Sequence, residues 1–376
     1  MPPGVLDTAD RVAEAAASVG AEWFMLTGAD SVCYATGVPM RIETGPSPFE
    51  GGPTTVFVDG DGTTAVVAAT PLADEWSSTG ARVFEYSGFS AGDPEDLVAN
   101  YGVALTALIR ECGVSGTVAY EPASLTAAVA DALRGHGMQL ADGHAALARL
   151  RAVKTDRELT LLRESARVAS LGQRQVLRSA VEDVSELELF AAVRLAMETA
   201  AGERIPVAGD LLTGSERTAG VAGWATNRRI QPGDAVMSDI APRVRGYWAD
   251  SCNTSVVGEP SVRLRELRRV VLDAMDAGIA AAVPGTSLGD LDRTVREVVE
   301  RAGFGYAHHS GHGIGTSVHE YPRIIPGERG ELEPGMVILL EPGAYLTGVG
   351  GIRLEWMFEV TAAGVDKLTD FELATW

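Results

Sequence analysis

The chain has 376 residues, 46% of them apolar and 22% charged, with a formal charge of −20 and three cysteines. That length predicts about two domains, and the acidity excludes a uniformly basic surface for nucleic acid or anionic lipid. Apolar runs broken by Gly, Asp or Pro fall short of the roughly 20 residues that cross a bilayer, no secretory pattern opens the chain, and Cys33, Cys112 and Cys252 lie far apart, so a cytoplasmic setting is expected, with neither a disulfide framework nor a thiolate zinc site.

In chain order, residues 7–20 carry a helix pattern ending at a glycine, and 21–26 an apolar strand. Residues 54–69 read as a hairpin around Asp-Gly turn signals. Between them, 34–52 is expected to be a long ordered loop holding Arg41, and loops of such length are often functional. Helix patterns at 95–112 and 124–135 flank a strand at 116–120, so residues 1–150 predict an α/β layer. His136 and His144 stand alone beside glycines and suit surface or capping roles.

The composition changes near residue 150, placing a domain boundary between 1–150 and 151–376. Thr155 with Glu158 and Ser185 with Glu188 form capping boxes that open helices over about 156–181 and 186–201. Further helices are predicted near 261–283 and, opened by Ser287 with Asp290, near 288–302. The strands repeat as well: Ile230-Gln-Pro-Gly-Asp-Ala-Val-Met-Ser-Asp239 lines up with Leu332-Glu-Pro-Gly-Met-Val-Ile-Leu-Leu-Glu341, each placing a carboxylate six residues after a Pro-Gly turn. The C-terminal domain therefore predicts two similar halves, each helix, helix, then hairpin.

In the first half, a hairpin centred between Val244 and Arg245 would set Asp239 opposite Asp250. In the second, Glu341 and Glu355 are related about the glycine-rich turn 347–351. Four carboxylates on strands that read as buried, near Leu339, Leu340, Ile352 and Leu354, would repel one another and resist desolvation, so cations are expected. Four of the six histidines fall within His308-His-Ser-Gly-His-Gly-Ile-Gly-Thr-Ser-Val-His-Glu320, a density that points to metal or proton chemistry. There Gly311, Gly313 and Gly315 would let the backbone approach another group closely. Carboxylate oxygens with one imidazole suit two divalent ions, manganese foremost, with cobalt, zinc or iron as alternatives.

These residues, with the Gly-His-Gly-Ile-Gly motif at 311–315, His319-Glu320, Glu341-Pro-Gly, Gly351-Ile-Arg-Leu-Glu355 and the stretch Leu150-Arg-Ala-Val-Lys-Thr-Asp-Arg-Glu158, resemble the pita-bread metallohydrolases, in the branch of prolidase, aminopeptidase P and creatinase. The resemblance implies an α+β protein: a C-terminal pita-bread fold with two pseudo-symmetric halves, preceded by a smaller creatinase-like α/β domain. It implies that Asp250 and Glu355 bridge two metals, that Asp239 completes one ion and His312 with Glu341 the other, and that a bridging hydroxide is the nucleophile. It further implies Glu341 as general base, His319 hydrogen-bonded to the substrate carbonyl, and His308 facing the substrate. His309 fits a substrate-side or packing role, and Arg353 the support of a ligand carboxylate. A homodimer is implied too.

The pattern departs from that branch at 221–230, where a histidine helps recognise substrate in relatives; Ala222 stands near that position, and Trp224 would line a pocket there or pack in the core. Asn253-Thr254 likewise stands where Arg-Thr is more usual. The expected activity is an Xaa-Pro peptidase, dipeptidase or aminopeptidase. The alternative is a hydrolase of a small non-peptide amide or C–N bond, similar to ectoine hydrolase, with Arg41 binding an anionic substrate. A non-catalytic scaffold fits less well, because all five ligands are kept. The expected partners are a small peptide or small molecule, with no nucleic acid and no membrane.

Overall fold

A computed structural model of the chain describes residues 7–40, 50–76, 79–374 and 376. The chain divides into two compact units, Met1–Arg151 and Ala152–Trp376. Arg41 lies outside the described residues.

The first unit is built on a six-stranded sheet in the order Arg82–Tyr86, Thr64–Ala69, Thr55–Asp59, Trp23–Leu26, Thr117–Tyr120, Gln139–Asp142. Its strands read almost continuously apolar because both faces are covered, and the pleat sorts the residues by parity. Phe24, Leu26, Val56, Val58, Val66 and Ala68 join one core with helices Asp7–Ser18 and Ala29–Thr36. Met25, Phe57, Ala65 and Val67 join another with Leu97–Glu111 and Ala127–Gly135. The expected hairpin is present, its Asp59 carboxylate accepting from the Asp61 and Thr63 amides at 2.9 and 2.8 Å. The start of the stretch expected to be loop is instead the end of helix Ala29–Thr36, which stops where Gly37 turns left-handed at φ 72°. His136 sits at the C-terminal cap of Ala127–Gly135, and His144 opens a further helix, His144–Ala152.

In the second unit the two halves follow one plan. Helices Asp156–Ser179 and Glu186–Ala201 belong to the first half, Val262–Ala281 and Leu288–Arg301 to the second. Both expected capping boxes close, at Thr155 with Glu158 and at Ser185 with Glu188. Three backbone hydrogen bonds recur at constant spacing along the chain. Asp183 to Ile230, Ile230 to Val184 and Glu186 to Arg228 in one half match Gly285 to Leu332, Leu332 to Thr286 and Leu288 to Gly330 in the other. The paired Pro-Gly turns match as well, with Gly233 at φ 87° and Gly335 at φ 88°, a region glycine enters without steric cost.

The first half carries the sheet Cys252–Val256, Ala235–Val244, Val207–Thr213. The second carries the order Glu320–Ile324, Gly311–Gly313, Val337–Leu340, Trp356–Thr361, Gly364–Lys367, with Gly343–Leu346 paired to Gly350–Arg353 beside it. A bridge between Cys252 and Glu355 joins the halves, and beside it Thr254 Oγ1 donates to Arg353 O at 2.9 Å. The described residues contain no helix long and apolar enough to cross a membrane.

The first-half hairpin corrects the expected register. Val244 pairs with Tyr247, so its turn is Arg245-Gly246, with φ of 48° and 89°, as a two-residue hairpin of type I′ demands at both central positions. Asp239 therefore opposes Cys252 rather than Asp250. The slip is two residues, so parity is preserved and both aspartates stay on one face as diagonal neighbours.

Candidate metal centre

Asp239 lies within the strand Ala235–Val244, paired on both sides, whereas the other three carboxylates sit where a strand ladder breaks. In the second half, Leu340 pairs with Trp356 and Gly343 with Arg353, a single register interrupted only at Glu341-Pro342 against Leu354-Glu355. Pro342 has no N–H to offer. The amides of Glu341 and Glu355 turn away and donate to Ser310 O at 3.0 Å and Cys252 O at 2.8 Å. The two carboxylates are thus fixed by backbone from both halves. In the first half, the Asp250 carboxylate accepts from the Ser251 amide at 2.8 Å.

His312 comes from the short strand Gly311–Gly313. Its glycines answer to neighbouring strands: a Cβ at Gly311 would lie 1.9 Å from Leu339 O, and one at Gly313 would lie 2.4 Å from Tyr321 O. One at Gly315 would meet the Glu320 carboxylate at 2.6 Å. His312 Nδ1 lies 2.9 Å from Gly313 O, which assigns the ring proton to Nδ1 and leaves the Nε2 lone pair facing the carboxylates. Burial lowers its pKa to about 4, so it is neutral near pH 7.

The donor atoms converge. One oxygen each from Asp250 and Glu355 and one nitrogen of His312 lie within 4.8 Å of one another, and all three side chains are buried. His312 Nε2 is 3.7 Å from Glu355 Oε1 and 3.8 Å from Glu341 Oε1. Burial pushes the carboxyls of Asp250 and Glu355 well above the usual range, and the charges of Asp239 and Glu341 push the same way. Glu341 goes the other way. Burial raises it, but the imidazoles of His309, His312 and His308 outweigh burial and hold it at about 2.

The donor set suits a cation. Glu355 Oε2 is buried without a hydrogen-bond partner, and Glu341 Oε1 has only the unaligned approach of His309 Nε2 at 2.7 Å, whereas buried polar atoms are nearly always satisfied. Carboxylates that repel one another, with an orphaned oxygen and a neutral imidazole lone pair aimed at them, fit divalent ions.

The surrounding residues hold this set in place. Arg353 reaches Asp239 Oδ2 at 2.5 Å and Val221 O at 3.0 Å. Burial opposes its charge, yet Asp239 holds it firmly protonated. His308 Nε2 is 2.8 Å from the Tyr345 hydroxyl, and its pKa is lowered by burial. His319 is exposed, with its ring 4.3 Å from that of His312. His309 Nε2 is 2.7 Å from Glu341 Oε1. Trp224 is 84% exposed, which excludes the core role considered for it.

Some residues near the site carried no sequence signal. Asp210 pairs with Asp239 across the sheet, and its carboxyl is raised by burial and by that neighbour. Arg323 stands opposite His312 in the strand register, exposed, with its Nε 3.4 Å from His309 Nδ1. Glu186 is a buried carboxylate receiving the amides and hydroxyls of Thr213 and Thr226 and the Arg217 Nε, all within 2.7–2.9 Å. Those donors are separated from it by 27 to 40 residues, too far for a local motif to announce.

Comparison with known proteins meets this geometry. Residues 160–362 match the model of metallopeptidase family M24, and residues 9–153 match the creatinase/prolidase N-terminal domain. The chain belongs to metallopeptidase family M24. Among M24 relatives, the Xaa-Pro dipeptidase of Pyrococcus furiosus is 33% identical over 225 residues, covering 59% of this chain and 64% of that protein. The chain thus aligns with just under two thirds of that relative's length by sequence. The likeness in structure runs further. The prolidase from Pyrococcus furiosus superposes with a TM-score of 0.78 at 25% identity, covering 96% of this chain and 99% of that one. An Xaa-Pro dipeptidase from Bacillus anthracis gives 0.81 at 26% identity, covering 98% and 99%. An M24 fold of α+β class, preceded by a creatinase-type domain, is therefore shown.

Proposed function

We propose that the chain is a metal-dependent Xaa-Pro dipeptidase. The observation that carries the proposal is the buried cluster of Asp250, His312, Glu341 and Glu355, with Glu355 Oε2 lacking any hydrogen-bond partner, in a chain whose M24 relatives include Xaa-Pro dipeptidases.

In this reading Asp250 and Glu355 would hold two divalent ions, with Asp239 on one side and His312 and Glu341 on the other. Manganese is the first choice for oxygen-rich ligation. Two such ions supply Lewis acidity and an activated water at neutral pH. Glu341, ionised far below neutrality, accepts the proton of the attacking water. His319, exposed beside His312, donates to the scissile carbonyl oxygen, and that donor is worth most where charge develops in the transition state. His308, hydrogen-bonded to Tyr345, is held facing the same space. Arg353 keeps Asp239 oriented and ionised by charge-assisted hydrogen bonding. Arg323, the exposed cation opposite His312, suits the carboxylate of a dipeptide and favours dipeptides over longer peptides.

Residues 1–150 then form the accessory domain and 151–376 the catalytic one, in a cytoplasmic homodimer. Arg41 and Trp224 are assigned to the substrate side. A second reading, hydrolysis of a small non-peptide amide, is favoured by Ala222 alone: the segment that holds it offers only the exposed Trp224 as a new contact.

The test is turnover by the manganese-loaded protein on Xaa-Pro dipeptides, Xaa-Pro tripeptides and non-prolyl dipeptides. Release of proline from the first set, lost in Asp250→Asn, supports the proposal. Two bound ions with every peptide left intact would replace it with the small-amide reading.

A further inference from the structure

We propose that His309 is an additional metal ligand, so that the two metal positions differ: one is rich in nitrogen and prefers zinc or cobalt, the other is all oxygen and prefers manganese. The inference rests on the dinuclear reading above and concerns which ion each position takes.

The His312 side of the centre holds more nitrogen than a single imidazole. Ring nitrogens of His309, His312 and His319 lie within 4.8 Å of one another. His309 Nε2 is 2.7 Å from Glu341 Oε1, which is 3.8 Å from His312 Nε2. Donors sharing one ion at about 2.1 Å stand roughly 3.0–3.4 Å apart, so these separations need only small adjustment to close around an ion. His309 Nε2 attracts Glu341 Oε1 and lowers its pKa, but the contact misses the alignment of a full hydrogen bond, and an ion placed between the two atoms would engage both.

His309, His312 and Glu341 make a set of two imidazoles and one glutamate, the donor set of many catalytic zinc sites. Imidazole raises preference for zinc, cobalt and iron over manganese. Among the described residues, the groups set against Asp239 are mainly carboxylates, those of Asp210, Asp250 and Glu355, with Arg353 as the cation in contact; His319, assigned above to the substrate carbonyl, also feels its charge.

Arg323 Nε approaches His309 Nδ1 at 3.4 Å. Ligation through Nε2 places the ring proton on Nδ1, so Arg323 must withdraw, which its exposed side chain permits. This separates the proposal from its competitor. If His309 only relayed the charge of Arg323 to Glu341, removing either residue would have the same effect.

The experiment uses the full chain stripped by chelator. Zinc and manganese affinities are measured by competition with a chromophoric chelator, stoichiometry by elemental analysis, and ligation by the absorption bands of the first cobalt equivalent. These are read for the native protein, His309→Asn and Arg323→Ala. We expect His309→Asn to lose at least about tenfold in affinity for the first zinc, to change by less than about threefold for manganese, and to shift the cobalt bands. Arg323→Ala should match the native protein in all three. Zinc affinity of His309→Asn within threefold of native, or an equal loss in Arg323→Ala, would overturn the proposal. Unchanged metal-free melting and circular dichroism establish that each variant folds. A native protein that binds no second ion would instead refute the dinuclear reading, while two bound ions with no effect of His309→Asn would refute this inference alone.

Discussion

Glu355→Gln is expected to stabilise the metal-free protein while abolishing its stabilisation by metal. Two ionised groups no more than 4.8 Å apart, as Asp250 and Glu355 are at closest approach, repel by about 3.5 kcal/mol at an effective dielectric of about 20. Part of that repulsion is already relieved, because burial and the neighbouring carboxylates hold both groups well above the usual range. A net gain of about 1–3 kcal/mol remains, or about 2–12 °C in melting temperature for a unit of this size. Native protein should gain a further ~2.7 kcal/mol at a metal concentration of about a hundred times Kd. The variant, lacking an anionic donor, should gain less than half of that and lose turnover. Scanning calorimetry near neutral pH, with chelator and then with manganese, reads both effects. A metal-free variant that melts below the native protein would mean that Glu355 is structurally satisfied. Either that result or full metal stabilisation of the variant would refute the argument that the carboxylates await a cation.

Three other outcomes follow from contacts around the site. Gly311→Ala places a methyl 1.9 Å from Leu339 O and should cost about 1–3 kcal/mol through forced displacement of the strand, read as a lower denaturation midpoint. Arg353→Met leaves Asp239 without its buried partner; it should cost about 3–5 kcal/mol in the metal-free protein, and manganese should restore part of that stability by supplying the lost positive charge. Equal losses with and without metal would show that the guanidinium acts by packing alone. Glu186→Gln tests a pH dependence. Burial opposes ionisation of Glu186, but the hydrogen bonds from Thr226 and Thr213 and the contact with Arg217 win and lower its pKa. A folded value below the unfolded one contributes stability that is present above the unfolded pKa and is lost as pH falls through the folded one. The native advantage over Glu186→Gln should therefore be about 1–3 kcal/mol near neutrality and shrink in acid, and an advantage constant across pH would reject this account.

What the sequence revealed was periodic or local. Capping boxes at Thr155 and Ser185 are four-residue signals, and both form as read. The duplication was visible because Pro-Gly turns fix backbone geometry that few other residues adopt, so Gly233 and Gly335 mark equivalent points in the two halves. The hairpin register was harder to read: Arg245-Gly246 supplies the positive φ a tight turn needs, and centring the turn one position earlier set the aspartates directly opposite each other. Long-range pairings were not legible at all. Arg353 to Val221 and Glu186 to Thr226 join residues by hydrogen bonds over 132 and 40 positions, with no pattern in the sequence to announce them.

The duplication also bears on why the two sides of the cluster differ. Both halves place an acid six residues after a Pro-Gly turn, so a purely symmetric arrangement would offer oxygen on both sides. The first half keeps to that plan: Asp239 is met by Asp210 across its ladder and by Arg353 from the other half. The second half lies against the histidine-bearing segment, where His312 faces its carboxylates and His309 approaches Glu341. The guanidinium beside Asp239 offsets negative charge on the oxygen side, whereas on the other side burial keeps His312 neutral and able to donate a lone pair. Charge balance and donor type thus diverge between two sides of the cluster built on one backbone plan.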